Sequence, residues 1–210
     1  LESAAGWNDP EAPKLWLYNA HYFDDLNAAS AGRRSTWHAN LIRDWVEDNP
    51  PTAGNGWEPY PISLRIVNWV KYAYANGLER QAQQSLGLQA RWLARNLEFH
   101  LLGNHLWANA KALVFAGTYF VGPEAESWLH EGCRILRAEI EEQIPVDGGH
   151  FEWSPMYHAI ALEDVLDLVQ LKGKAESSSP LQRLPLRQTA RRMVRWLECM
   201  TFPSGRPGFF

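Results

Sequence analysis

The stretch DGGHFEWSPMYHAIALEDVLDL, residues 147–168, opens on a turn, passes through a dense polar run and ends as a periodic apolar segment. Ser154 is a favoured N-cap residue and Pro155 a favoured first helical residue. A helix is therefore expected over 155–172, with Tyr157 in its first turn. Free N–H groups and the helix macrodipole present positive potential there. That setting suits a tyrosine acting as a base. A plainer alternative is a capped helix whose Tyr157 packs in the core with its hydroxyl satisfied. His150, Glu152 and His158 weigh against it, because a segment that only packs rarely carries so many titratable groups.

Outward from this stretch the same 3.6-residue spacing recurs and no segment shows sustained two-residue alternation. Helices are expected at 14–30, 34–48, 61–76, 79–101, 105–121, 124–143, 155–172 and 186–201. Explicit breaks separate them: Asn49-Pro50-Pro51, Gly54-Asn55-Gly56, Gly122-Pro123 and the Pro145–Gly149 turn. Residues 173–185, with Gly173 and Ser177-Ser178-Ser179-Pro180, read as a polar, mobile loop. Helices this close in sequence pack as antiparallel hairpins. A stack of hairpins gives an α-solenoid or an α/α toroid, and the lack of a fixed repeat period counts against a regular solenoid. The fold class expected is all-α, with residues 1–202 as one domain and the turn-rich 203–210 as the start of a linker toward a further domain.

Composition limits what the motifs can mean. The 210 residues suffice for one domain with a real core, and 46% apolar with 21% charged residues is ordinary for a globular protein. A net charge of −4 argues against a broad basic surface, so nucleic acid is excluded as a partner. A local pocket for an anionic ligand remains compatible with that charge. The apolar run from Leu113 to Gly122 is about half of the ~20 residues a membrane span needs, so no membrane insertion is expected. Cys133 and Cys199 are far apart, in no metal-like spacing, and either pair or stay reduced. Eleven tryptophans supply flat amphipathic faces that suit cores and sugar platforms alike.

Two further segments carry candidates. In Gly103-Asn104-His105-Leu106-Trp107-Ala108-Asn109, Asn104 is placed to cap the helix that follows. Capping leaves His105 and Asn109 unexplained. Asn104 and Tyr157 would both sit at helix N-termini, and in stacked hairpins alternate helix starts share one rim. In Trp57-Glu58-Pro59-Tyr60-Pro61-Ile62-Ser63-Leu64-Arg65, the prolines rigidify the approach to a helix, with Arg65 about one turn inside it. The planar fork of Arg65 suits a carboxylate or sulfate. Alternatively Arg65 forms a structural ion pair with Glu58 or Asp44. Tyr18, His21, Tyr22, Trp37 and His38 are looser groove candidates, though aromatic stripes at helical spacing more often belong to a core.

Three of these motifs, in this order, resemble a known family. The runs WEPYPISLRIVNW, GNHLWANAKALVFAG and DGGHFEWSPMYHAIALEDVLDL are similar to stretches of the heparinase II/III and oligoalginate-lyase superfamily, over roughly residues 14–202. The resemblance implies an incomplete α/α toroid followed by an antiparallel β-sandwich domain absent from this chain. It implies β-elimination on a uronate-containing polysaccharide, with no cofactor and an anionic polysaccharide or oligosaccharide as partner. It matches Asn104 to the family's carboxylate-neutralising Asn, His105 to its neighbour in the alginate-type members and Tyr157 to the catalytic Tyr. The remaining acid/base group, and any divalent metal, would come from the β domain, so the chain alone is expected to be inactive. Substrate contacts are expected from Arg65, Tyr60, Glu58, His150, Glu152, His158 and Trp107, and no metal site is expected here.

The chemistry explains the residue types. A uronate resists losing its C5 proton because the adjacent carboxylate disfavours more negative charge. An amide donating to that carboxylate lets it accept charge, by the logic of an oxyanion hole. Tyr157 then removes the proton or protonates the leaving oxygen. Two other classes stay open: a glycoside hydrolase pairing Glu152 with Glu163 or Asp164, and a non-catalytic carbohydrate-binding scaffold. A bacterial periplasmic or secreted location suits such a substrate, and the oligomeric state is not legible.

Overall fold

A computed structural model of the chain describes residues 6–206 and 208. Among these residues the fold is all helical, with eight α-helices and no β-sheet. They are α1 (Lys14–Ala20), α2 (Ser35–Asp48), α3 (Pro59–Asn76), α4 (Arg80–Arg95), α5 (Gly103–Tyr119), α6 (Pro123–Gln143), α7 (Pro155–Lys172) and α8 (Leu186–Cys199). The part of 203–210 that is Pro207, Phe209 and Phe210 lies outside the described residues.

The punctuation acts as expected at most boundaries. Prolines open α3, α6 and α7, where the missing N–H is not needed. Gly77 ends α3 at a φ of 78°. Glu124 and Glu126 in the first turn of α6 complement the positive end of its dipole.

α5 is the hub. It is buried without interruption from Leu106 to Gly117, on every face, as befits a helix surrounded by others. It packs chiefly on α6 and α3, while α7 and α8 form a second hairpin. Two glycines let α5 and α6 approach closely. A methyl group at Gly132 would sit 2.7 Å from the Ala110 carbonyl oxygen, and one at Gly117 would sit 2.6 Å from that of Ala125. By contrast α8 is amphipathic and buries one stripe, Leu186, Thr189, Ala190 and Met193.

Three expectations are corrected. The first helix stops at Ala20 rather than 30, because the chain turns inward and buries His21, Tyr22 and Phe23, the last at a φ of 64°. α4 stops at Arg95 rather than 101. The side chain of Asn109 accepts the Glu98 N–H at 2.8 Å, which takes a donor that a continuing helix would use. The stretch 173–185 is pinned rather than free. Lys172 Nζ donates to the carbonyls of Gln182 and Leu184 at 2.8 and 2.9 Å, and Leu181 and Leu184 are buried.

A candidate catalytic groove

Three helices build one groove of about 280 Å³: the start of α3 with Tyr60, the start of α5 with Asn104 and Trp107, and the start of α7 with Tyr157. Gln143, the last residue of α6, and His150, from the α6–α7 connection, also line it. Asn104 and Tyr157, 53 positions apart in sequence, face the same space. The Ser154 hydroxyl accepts the Tyr157 N–H at 3.4 Å, so the cap read from sequence sets where the Tyr157 side chain starts. The other expected cap is absent. The N-cap position of α5 is Leu102, at a φ of 55°, and Asn104 lies inside the first turn. Its amide, like the Tyr157 hydroxyl, has no hydrogen-bond partner among the described residues. Both polar groups are thus available to a ligand.

The turn before α7 owes its shape to packing. Gly148, at a φ of 89°, lies so close to α8 that a methyl group there would meet the Arg192 carbonyl carbon and oxygen at 2.5 Å. Gly149 would clash likewise with the Trp196 ring. The two glycines therefore dock the loop onto α8 while His150 reaches the groove. His150 is buried, 3.3 Å from Gln143 Oε1 through Nε2, and burial holds its pKa below the ordinary imidazole range.

His105 stands beside the groove. Its ring lies 4.5 Å from that of Tyr60, tilted by 36°, and its Nδ1 is 3.1 Å from Glu98 Oε1. Burial raises the Tyr60 pKa, assisted by the charges of Asp164, Tyr157, Glu98 and Asp24. At the far end Lys111, almost fully buried, contacts Asp164 at 2.5 Å and Asp167 at 2.6 Å, while Lys71 meets Asp167 at 2.6 Å. Burial alone would lower the Lys111 pKa, but the two aspartates outweigh it and the net shift is upward. The lining carries four acids (Asp24, Glu163, Asp164, Asp167) against two lysines, so the groove is not a cationic trough.

Not every expected substrate contact lies here. Arg65 is fully buried and is corrected to a structural role. Its Nε donates to Gln89 Oε1 at 2.9 Å and its Nη2 to the Gly56 carbonyl at 2.7 Å. Neither Glu58 nor Asp44 pairs with it, because desolvation is met by neutral acceptors and by the Trp45 ring, 3.9 Å away. His158 is also corrected. It is fully buried against Trp196, with ring centroids 4.4 Å apart, and its Nε2 is 3.0 Å from the Met193 carbonyl, on the side of α7 that faces α8. Glu58 lies outside the groove lining, bound to the Tyr18 hydroxyl and 3.0 Å from Lys14 Nζ. Glu152 is exposed and lines a neighbouring hollow that shares Asn104 and Gln143 with the groove. Trp107 contributes a nearly buried wall. Both cysteines are free, and burial pushes the Cys133 thiol up to about 12.

Sequence reading missed Glu98, Lys71 and Lys111. The acidic groups that hold the lysines are visible as Asp164 and Asp167 on one helical face, but Lys111 lies over fifty positions away from both. Glu98 carries no local signal, since the spacing places it in a helix interior. No group of three metal-ligating side chains, and no helix long and apolar enough to cross a membrane, occurs among the described residues.

Known proteins resemble this chain in sequence and in fold. The family model described as Heparinase II/III N-terminus matches residues 27–209. A heparin-sulfate lyase of Bacteroides thetaiotaomicron is 31% identical over 173 residues, covering 71% of this chain and 24% of that protein. One of Pedobacter heparinus is 27% identical over 206 residues, covering 93% of this chain and 28% of that protein. The chain thus spans about a quarter of the length of these curated relatives. The crystal structure of the heparan sulfate lyase HepC from Pedobacter heparinus superposes with a TM-score of 0.66 at 22% identity, over 97% of this chain and 35% of that one. A heparinase III gene product superposes with a TM-score of 0.68 at 19% identity, over 95% of this chain and 37% of that one.

Proposed function

The chain belongs to the heparinase II/III family through its N-terminal helical region, and from that premise we propose that its groove is the helical part of a polysaccharide lyase site. The substrate is an anionic, uronate-containing polysaccharide, cleaved by β-elimination. The observation that carries this reading is the pairing of two unpartnered polar groups, the Asn104 amide and the Tyr157 hydroxyl, in one groove.

The steps follow from that pairing. The Asn104 amide donates to the uronate carboxylate, which lets it take up charge as the C5 proton leaves. The electrons of the C5–H bond form the C4–C5 double bond, the C4–O bond breaks, and the leaving oxygen receives a proton. Tyr157 serves one of the two proton transfers, and His105, stacked on Tyr60, assists from the groove's edge. His150, Tyr60 and Trp107 shape the sugar site. The second proton transfer is assigned in this reading to a group outside the matched residues 27–209, so residues 1–210 tested alone are expected to yield no unsaturated product. The helices form an incomplete α/α toroid around the groove. The curated relatives are bacterial, and a periplasmic or secreted site fits the substrate.

The hydrolase reading is weaker on geometry. Asp164 is committed to Lys111, and Glu152 opens on the neighbouring hollow rather than across the groove from it. The test is the ultraviolet absorbance of an unsaturated uronate product made by the full-length protein from heparan sulfate or alginate. A saturated product means hydrolysis and overturns the proposal. Tyr157→Phe at the wild-type rate removes Tyr157 from the mechanism.

A further inference from the structure

We infer that Glu98 is a positioning residue for His105, fixing the tautomer whose Nδ1 carries the proton and leaving Nε2 as an acceptor beside the groove. That His105 serves the lyase reaction rests on the reading above, whereas which ring nitrogen holds the proton does not.

The polarity of the contacts around Glu98 is fully determined. Its backbone N–H donates to Asn109 Oδ1 at 2.8 Å, so that atom is the amide oxygen. The Asn109 Nδ2 therefore points the other way, donating to Glu98 Oε2 at 3.0 Å and to Ser63 Oγ at 3.0 Å. Ser63 accepts because its own proton goes to the Pro59 carbonyl at 2.8 Å. Glu98 Oε1 is left facing His105 Nδ1 at 3.1 Å, and a carboxylate oxygen only accepts. Nδ1 must then be the donor. Nε2 has no partner among the described residues, and the ring rests on Tyr60, which lines the groove. Glu98 and Asn109 are 7% and 0% exposed, so water is kept from the contacts between them, and the chain opens toward solvent only at His105.

The same geometry dictates what an isosteric change does. In Glu98→Gln, Asn109 Nδ2 still demands an oxygen at the Oε2 position. The new amide must turn its NH2 toward His105, where it donates to Nδ1 and drives the proton to Nε2. In the double variant Glu98→Gln/Asn109→Asp, the carboxylate introduced at position 109 accepts from that NH2 and from a reoriented Ser63 hydroxyl. The amide oxygen introduced at position 98 then faces His105 and the native tautomer returns.

The experiment uses the full-length protein labelled with 15N-histidine, its ring spectrum recorded at alkaline pH and the His105 signals identified by their loss in His105→Gln. The expected wild-type pattern is the Nδ1–H tautomer, the Glu98→Gln pattern is Nε2–H, and the double variant restores the first. With lyase assays on the same samples, kcat falls in Glu98→Gln by roughly 10²-fold, below the ~10⁴-fold a wrong tautomer costs where the imidazole is the principal base. KM stays within about twofold and the melting temperature is held, since every hydrogen bond keeps a partner. A wild-type Nε2–H tautomer, or identical His105 signals in wild type and Glu98→Gln, overturns the inference even if neither protein turns over. An absence of unsaturated product sinks the lyase reading and leaves the tautomer result standing.

Discussion

Two clusters of titratable and aromatic side chains flank α3, and they look alike in sequence but not in space. One joins Arg65, His21, Trp45 and Gln89. The other joins Tyr60, His105, Glu98, Asn104 and Tyr157. The first is shut off from solvent: Arg65 is shared among Gln89, Gly56 and His21, Trp45 Nε1 donates to His21 Nδ1 at 2.9 Å, and only the buried His21 Nε2 lacks a partner. Even Gly56 belongs to the seal, since a methyl group there would meet His21 Nδ1 at 2.7 Å. The second is open at one end, where Asn104 and Tyr157 hold unspent hydrogen-bonding capacity in the groove. What separates a structural cluster from a chemical one here is not residue type but whether its unspent polarity opens on a groove, as at Asn104 and Tyr157, or is sealed in the core, as at His21 Nε2.

The largest expected effect tests the open cluster. Asn104→Ala and Tyr157→Phe in the full-length protein should each lower the rate of unsaturated product formation by ~10²–10³-fold, the usual cost of one transition-state donor. Melting temperatures should stay within a few degrees, because neither the Asn104 amide nor the Tyr157 hydroxyl makes a hydrogen bond among the described residues. A large loss of stability in either variant would move it into the closed class.

Arg65→Ala is the mirror experiment. It strands three acceptors and leaves a cavity beneath Trp45, costing roughly 4 kcal/mol of stability in chemical denaturation. Activity per folded molecule should be retained. Arg65→Lys should recover only part of the stability, because an ammonium cannot reproduce the planar fork. A selective loss of activity at unchanged stability would place Arg65 back at the substrate.

A smaller, graded effect comes from pH. Burial, and then the charge of Arg65, lower the His21 pKa from 6.5 to about 3, against a weaker opposing hydrogen bond at Trp7. The folded pKa lies below the unfolded one, so the unfolded chain binds more protons between those values. The stability is therefore complete above about pH 6.5 and is lost as pH falls, by roughly 2 kcal/mol at pH 5. Burial holds His150 and His158 low as well, adding slope of the same sign. His21→Gln keeps an acceptor for Trp45 and should flatten, without abolishing, the loss seen on acidification. An unchanged slope would mean the cluster around Arg65 is not sealed.

These contrasts explain what is legible in the sequence. Helices α2 to α8 announce themselves through period, proline and glycine, and the Ser154-Pro155 cap places Tyr157 correctly. The early end of α4 is not legible, because its cause is Asn109, reaching back from the next helix. Position alone makes Asn104 a cap, whereas Leu102 occupies that place. Residue type alone assigns Arg65 and His158 to substrate. Whether a side chain points into a groove or under Trp45 or Trp196 depends on partners 20 to 40 positions away, which local pattern does not encode.

The smallest effect concerns how far the open region extends. Beyond Lys71 and Asp167 the groove continues into a hollow lined by Asn27, Tyr74, Gln170 and Lys174, with the Lys174 ammonium 4.9 Å from the centre of the Tyr74 ring. Lys71 and Lys111 are held by aspartates, so Lys174 is the cation there without a carboxylate partner among the described residues. If a long anionic chain lies along both hollows, Lys174→Ala should raise KM for polysaccharide by about two- to fivefold, the scale of one exposed charge contact. The same variant should leave kcat, and KM for short oligosaccharides, unchanged. An equal effect on long and short substrates would confine the sugar site to the part of the groove around Asn104 and Tyr157. The hollow at Lys174 would then be closed chemistry at an open surface, and exposure alone would no longer distinguish the two classes of cluster.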